Sequence, residues 1–382
     1  MNFDRQLLYC ISWIAFLRWE SSRVLLSSLF CNELKLGQIE MIEDKLKSPP
    51  IRSLTELIDQ MTIPAPDVIQ AVENINGEIL ILGVAGKMGP TLAELIIRAG
   101  GKVIGVDIFP DAKIKTYLER IGVATIKCDL FDHHQLADLP NTSHIILMAG
   151  TKFGSSVNEP FTWAMNAFLP AKVMERFPLS KIIYLSSGNV YQFTDASGKG
   201  ATENDGLEPI GEYAMSRLGG ERLVAFCSQR NQTPACIVRL FYATELRYGI
   251  IHDIATKIKT GEFIDLSMGY FNQIWQGDAN AFLLRCFSLC EVPAKIINLT
   301  GPEVLSVRQA ALRLGELMSV EPQFKGSESS TALLGDAAEI FNYFGQPQIT
   351  SDQIIEWVAW WVMHEKESLG KPTKFEKRNG KF

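Results

Sequence analysis

This 382-residue chain has no excess of basic charge. Its 37 Lys and Arg stand against 43 Asp and Glu, a formal net charge of -6. A protein that neutralises a phosphate backbone needs a basic surplus, so nucleic acid is not an expected partner. The chain also lacks a long apolar run. Its one membrane-like stretch, residues 7–17 (LLYCISWIAFL), is shorter than the roughly 20 apolar residues that cross a bilayer. Arg18-Trp19-Glu20 follows, where a secretory signal would offer small residues for cleavage. No integral membrane span is expected, and attachment of residues 7–17 to a membrane surface is the weaker alternative to a packed helix. No CxxC pair occurs among the seven cysteines, and the five histidines do not stand at ligand spacing from them. No metal is expected. Cys10, Cys31, Cys128, Cys227, Cys236, Cys286 and Cys290 are odd in number and scattered, which suits a reducing cytoplasm. With 29 glycines and 17 prolines, collagen-like and low-complexity classes fall away.

The 47% of hydrophobic residues is ample for a core. Ser48-Pro49-Pro50 marks a linker. Residues 1–52 read as an extension and linker, and Met41 opens a segment that resembles an ordinary N-terminus, so a mis-start upstream of it is one expectation. Residues 53–77 read as a helical lead-in. From residue 78 short apolar runs alternate with helix-length segments. Strands are predicted at 79–82, 102–106, 124–127, 144–148, 181–185 and 235–240. Helices are predicted between them at 88–99, 111–121, 160–177 and 210–228. Continuous apolar strands alternating with helices mean an α/β fold, a doubly wound parallel sheet of Rossmann type buried on both faces. Residues 78–240 are the expected core domain and 241–345 a smaller, mixed lobe with returning core elements. Residues 346–382 are expected to hold a helix over 351–366 and a charged, irregular tail.

Between the first strand and first helix stands Gly83-Val84-Ala85-Gly86-Lys87-Met88-Gly89. Glycines there permit a tight turn and let the backbone approach a pyrophosphate at the positive end of the helix. Asp107 ends the second strand, where a carboxylate can accept bonds from ribose hydroxyls and repel a 2′-phosphate. That favours NAD over NADP. Lys87 points mildly the other way, since an ammonium in the loop can meet a phosphate. Asp129-Leu130 follows the third strand at a position near the adenine.

The fifth strand runs into Ser186-Ser187-Gly188-Asn189-Val190-Tyr191, and a later helix opens with Tyr213-Ala214-Met215-Ser216-Arg217. The (i, i+4) spacing puts Tyr213 and Arg217 on one helical face. A tyrosine beside a fixed cation has a lowered pKa and can act as acid or base. A serine hydroxyl beside it can hold a carbonyl oxygen. Either feature alone is ordinary packing or capping; together with the glycine loop, in this order, they make a site.

On these motifs the chain resembles the extended short-chain dehydrogenases/reductases, the NAD-dependent epimerase/dehydratase family, over roughly residues 78 to 345. Met148-Ala149-Gly150, Asn166, Gly220-Glu221, Arg239-Leu240-Phe241, Asp278, Ile297-Asn298-Leu299-Thr300-Gly301 and Asp336 before Phe344-Gly345 also fit. The resemblance implies a catalytic set of Ser187, Tyr213 and Arg217. It implies cofactor contacts from Gly83, Gly86, Lys87, Met88, Gly89, Asp107, Asp129, Leu130, Ala149, Gly150, Asn166, Tyr213 and Arg217. Three departures stand out. The family's YxxxK is YxxxR here, and arginine keeps the charge but presents a bulkier planar fork. Tyr242 replaces a substrate-binding asparagine, and Phe271 or Asn272 replaces an arginine that grips a diphosphate. Gly188-Asn189 replaces the acidic pair of the dehydratases. The expected function is NAD(P)-dependent hydride transfer at a secondary alcohol or ketone of a small molecule, a sugar or sugar derivative among the candidates, within an oxidoreductase or epimerase cycle. The alternative is a weakly active or inactive NAD(P)-binding protein with a regulatory or redox-sensing role. A homodimer is compatible with either.

Overall fold

The structure is a computed structural model that describes residue 43 and residues 45–152, 154–155 and 157–381. The chain divides into two units, Met1–Leu46 and Lys47–Phe382, and the second carries everything below. The readings for residues 7–17, Cys10, Cys31 and Met41 lie outside the described residues.

Seven strands form the central sheet: β1 Glu78–Leu82, β2 Lys102–Asp107, β3 Ala124–Lys127, β4 His144–Leu147, β5 Lys181–Ser187, β6 Ala235–Leu240 and β7 Lys295–Leu299. Their spatial order is β7-β6-β5-β4-β1-β2-β3, with every neighbouring pair parallel. The alternation of side chains along β1 explains its unbroken apolar sequence. Ile79 and Ile81 enter one core with Leu92 and Ile96; Leu80 and Leu82 enter the opposite core with Leu169, Val173 and Met174. The predicted doubly wound sheet is therefore present. Its seventh strand, β7, was expected only as a returning core element. It pairs with β6 from Lys295↔Cys236 to Leu299↔Leu240.

Helices α1 Leu54–Thr62 and α2 Pro66–Glu73 form the lead-in, and α3 Gly89–Arg98, α4 Ala112–Arg120 and α5 His133–Ala137 follow the first three strands. The single helix expected over 160–177 is broken in three. α6 Glu159–Trp163 passes through a π-helical turn, Ala164–Phe168, into α7 Leu169–Arg176. Pro170 has no N–H to offer the carbonyl four residues back, that of Asn166. The Tyr184 hydroxyl donates to that carbonyl instead, at 3.0 Å. α8 Gly211–Asn231 crosses behind β5. In the C-terminal lobe α9 Ile250–Thr260, α11 Val307–Met318 and α13 Ser351–Met363 pack on one another, while α10 Gln276–Arg285 and α12 Ala338–Phe344 lie on the sheet side. The tryptophans of α13 are packing residues, as expected: Trp357 meets Trp275 edge-on at 5.6 Å.

Among the described residues, no group of three His, Cys, Asp or Glu side chains could hold a metal ion. No helix among them is long and apolar enough to cross a membrane.

Candidate active site

The strand order reverses between β1 and β4, which opens a crevice at their carboxyl ends. Three loops meet there: the glycine loop after β1, Ala149-Gly150-Thr151 after β4, and Ser187 at the end of β5. The three loop glycines are present for different reasons. Gly83 has φ +89°, and a Cβ on it would run into the Ala149 backbone. A Cβ on Gly89 would collide with the Val84 carbonyl. Gly86 is exposed, and a Cβ there would meet only the Gly83 carbonyl, at 3.3 Å. The fold itself requires the outer two glycines, whereas the middle one keeps open a cradle that faces outward. Asp107 borders that cradle. Its carboxylate accepts from the Ala85 N–H at 3.0 Å and the Phe109 N–H at 3.2 Å and stays half-exposed.

Ser187 leaves β5 with extended backbone. Its hydroxyl donates to Asn189 Oδ1 at 3.0 Å and accepts from the Asn189 N–H at 3.2 Å. Tyr213 sits in the first turn of α8, buried, on the cavity that Ser187 and Arg217 also line, with the Arg217 guanidinium carbon 5.6 Å from the centre of its ring. Burial alone would raise its pKa. The positive charges of Arg217 and Lys152 outweigh burial and bring it below the ordinary phenol value. The predicted trio is thus assembled.

Arg217 is buried and held by several groups. Nη1 donates to the Leu185 carbonyl at 3.2 Å, and the guanidinium lies beside the Tyr213 and Tyr184 phenols, whose charge favours its protonated form. It lies so close to Gly150 that a Cβ there would collide with it. Nε has no partner. An unsatisfied buried donor beside the β4 loop is where a ribose hydroxyl can be accommodated. With the open cradle at Gly86 and the carboxylate of Asp107, the residues present fit a dinucleotide.

Several side chains expected at the cofactor are engaged within the protein. Lys87 does not lie along the cradle. Its Nζ reaches across the crevice to donate to the Ala243 carbonyl at 2.6 Å and stands 4.2 Å from the centre of the Tyr248 ring. Burial lowers its pKa to about 7; Glu245 opposes the shift, while Arg247 and Lys152 add to it. Asn166 is fully buried. Its amide donates to the Thr151 carbonyl at 2.8 Å and to Ser216 Oγ at 3.0 Å, and it accepts from the Thr151 N–H at 2.9 Å. It positions the β4 loop through these bonds. Leu130 enters the core with Leu136 and Leu139, and the Asp129 carboxylate accepts from the Phe131 N–H at 2.9 Å. Phe271 and Asn272, the two candidates for the position of the absent arginine, are both buried, and Asn272 donates to the Gly335 carbonyl at 2.6 Å.

One residue escaped the sequence reading. Lys152, two positions beyond Gly150, is half-buried with Nζ 5.7 Å from the centre of the Tyr213 ring and 5.6 Å from that of Tyr242. Burial lowers its pKa, with Tyr213 opposing the shift and Lys374 adding to it. Its only sequence signal was its position just past a loop at the switch point. Lys87, Lys152, Ser187, Tyr213, Arg217 and Tyr242 all line one cavity of about 150 Å³.

Behind the site runs a buried polar chain. Ser186 Oγ donates to Glu221 at 2.6 Å, and Glu221 pairs with Arg239 at 2.7 Å, both fully buried. Arg239 donates to the Tyr191 hydroxyl at 2.6 Å, and Tyr191 donates to Asn298 Oδ1 at 2.8 Å. Asn298 in turn donates to the Ala201 and Asp336 carbonyls at 2.9 and 3.0 Å. The chain ties β5, α8, β6 and β7 together directly behind Ser187.

Residues 79–264 match the sequence model of the NAD dependent epimerase/dehydratase family. Solved structures share the fold. A UDP-glucuronic acid 4-epimerase from Bacillus cereus, crystallised with NAD, aligns with TM-score 0.64 at 15% identity, covering 76% of this chain and 99% of its own. A UDP-Glc/GlcNAc 4-epimerase from Campylobacter jejuni aligns with TM-score 0.64 at 19% identity, covering 76% and 100%. A putative epimerase from Burkholderia cenocepacia J2315 aligns with TM-score 0.64 at 16% identity, covering 76% and 99%. A search of curated proteins finds no match.

Proposed function

We propose that this chain, whose residues 79–264 match the NAD dependent epimerase/dehydratase family model, is an NAD-dependent enzyme of that family that oxidises or reduces a secondary alcohol or ketone on a small molecule, a sugar or sugar derivative among the candidates, within an oxidoreductase or epimerase cycle. The observation that carries this reading is the Ser187–Tyr213–Arg217 set, brought together on one cavity beside a glycine cradle that the fold leaves open at Gly86. Gly83, Gly86 and Gly89 would receive the pyrophosphate and Asp107 a ribose. Bound NAD would supply the hydride acceptor and donor.

The chain's own residues handle the proton. In the oxidative direction Tyr213, its pKa lowered, takes the hydroxyl proton as the carbinol carbon becomes a carbonyl; in reverse it returns that proton. Ser187 holds the oxygen on which charge develops. Arg217 keeps its charge at every working pH, so it supports the tyrosinate throughout. NAD is favoured over NADP because the Asp107 carboxylate repels a 2′-phosphate. Lys87 no longer argues otherwise, since its ammonium lies at Ala243.

The test is NAD titration of the full chain and of Tyr213→Phe, with turnover on a panel of alcohols and ketones. The substitution should abolish turnover and leave NAD affinity nearly unchanged. Full activity in Tyr213→Phe would leave only the alternative, a dinucleotide-binding protein without this chemistry.

A further inference from the structure

The cavity that holds Ser187 and Tyr213 continues past the reacting groups. Asn189 and Tyr242 line it, and the same two residues also border a second, much smaller space. Tyr191 bounds that second space from the core, and Phe375, Arg378 and Gly380 bound it from a segment late in the chain. It measures about 20 Å³, room for one water. The continuation of the catalytic cavity is thus filled by the chain itself.

The filling segment, residues 367–381, has neither helix nor strand, yet it is fastened along its length. The Leu369 N–H donates to the Arg247 carbonyl at 3.1 Å. Thr373 donates from its N–H and its hydroxyl to Asp253, at 2.7 and 2.6 Å. The Phe375 N–H donates to Thr373 Oγ1 at 3.3 Å, and its ring is buried, 6.5 Å from that of Phe271. Arg378 donates to the Thr331 carbonyl and hydroxyl, each at 2.7 Å, and lies 4.2 Å from the centre of the Phe193 ring. Gly380 presses on Ile210 and Gly211, just before Tyr213 in α8, so closely that a Cβ on either glycine would collide with the other segment. Mobile lids are drawn from segments with few buried contacts and solvated backbone. This segment has a buried ring and anchors on both sides of it, which is the character of a wall. A substrate whose carbinol reaches Tyr213 therefore meets Tyr242 and then this wall. The cavity left open is about 150 Å³, whereas sites for larger ligands run to roughly 300 Å³ and above.

We infer that residues 373–380 form the far wall of the substrate site and that Phe375 and Arg378 set specificity by exclusion. The site takes a compact hydroxy or keto compound and rejects one that carries a bulky group past Tyr242. The inference rests on the function proposed above and adds the residues that limit its substrate.

The experiment titrates the full chain, with and without saturating NAD, against two pairs of probes. Each pair has a short and a long member: glucose and maltose, which are neutral, and glucose 1-phosphate and UDP-glucose, which are charged. The native chain should bind neither long member. Phe375→Ala removes the buried ring, and Arg378→Ala removes the tie to Thr331 while leaving that ring in place. At least one of these variants should gain a long member by about tenfold or more, the scale on which a filled pocket discriminates, with the short members little changed. A cooperative thermal transition shows that each variant is folded. Hydrogen exchange on the native chain gives a reading that needs no substitution: the Thr373 and Phe375 N–H groups should stay protected when NAD binds. Binding of a long member by the native chain, no gain in either variant, an equal gain on the short members, or loss of that protection overturns the inference. If NAD fails to bind the native chain, the proposed function falls instead, and the titrations without NAD still decide whether this segment is the wall.

Discussion

Replacing Lys87 by methionine should make the protein more stable, and the gain should fade with alkaline pH. The lysine pKa falls from 10.5 to about 7 in the fold, chiefly through burial. At about 1.4 kcal/mol per unit, that shift sets a ceiling of about 5 kcal/mol on the cost of the folded ammonium. The side chain is only half-buried, and water screening reduces this to about 2–3 kcal/mol. Losing the bond to Ala243 returns about 1 kcal/mol. Methionine keeps the length and the contact with Tyr248, so the net gain is about 1–2 kcal/mol, or roughly 1–3 °C in Tm for a unit of this size. The direction with pH follows from proton counting. Below pH 7 both states hold the proton and the penalty is complete. Between pH 7 and 10.5 the unfolded lysine holds a proton that the folded one has lost, so wild-type stability rises with pH and the variant's advantage shrinks. About half of it should be gone by pH 9. Urea unfolding of both proteins at pH 6.5, 8 and 9 measures this directly. An advantage that does not change with pH, or a destabilised variant, would refute the placement of Lys87 in a desolvated cleft.

Gly86→Val should abolish dinucleotide binding and leave stability within about 0.5 kcal/mol, because its side chain meets only the ligand's space. Gly83→Val should destabilise the fold by several times that amount, since its φ is positive and the Ala149 backbone stands in the way; differential scanning calorimetry separates the two. Asp107→Ala should narrow the preference for NAD over NADP in fluorescence titrations, and tighter NADP binding by the unmodified protein would overturn the assignment. Arg217→Lys should lose turnover, because the shorter ammonium cannot keep the contacts with Leu185, Tyr184 and Tyr213 and leaves a gap against Gly150; a gain in activity would show that the arginine is a defect. Arg239→Ala should cost about 3–5 kcal/mol in urea unfolding, the usual result of stranding one member of a buried ion pair.

The inner strands of the sheet were legible because burial on both faces leaves them mainly apolar, as Ile79–Leu82 of β1 shows. The cofactor loop was legible because its chemistry is local. β7 was harder to see: its first two residues, Lys295 and Ile296, are only half-buried, and it is the edge strand of the sheet. The π-helical turn at Ala164–Phe168 answers to Tyr184, whose hydroxyl meets the Asn166 carbonyl from a neighbouring strand, and no periodicity reports that. Ser187 and Tyr213 were found because their order in the chain carries the information. Lys152 was missed, and Lys87 misplaced, because the direction of a long side chain depends on what packs around it. The tail read correctly as irregular. Its charged composition hid its burial, which rests on partners such as Asp253 and Thr331 far away in sequence.

The buried chain from Ser186 to Asn298 also constrains how this sequence can change over generations. Removing any one of Glu221, Arg239 or Tyr191 leaves a sealed charge or an orphaned hydroxyl, at about 3–5 kcal/mol for the ion pair. That is a large fraction of the roughly 5–15 kcal/mol by which a typical fold survives. A lineage cannot drift through such intermediates one step at a time without a compensating gain elsewhere. Positions 186, 191, 221, 239 and 298 should therefore be inherited as a block in descendants of this chain, kept whole or replaced together by an apolar set.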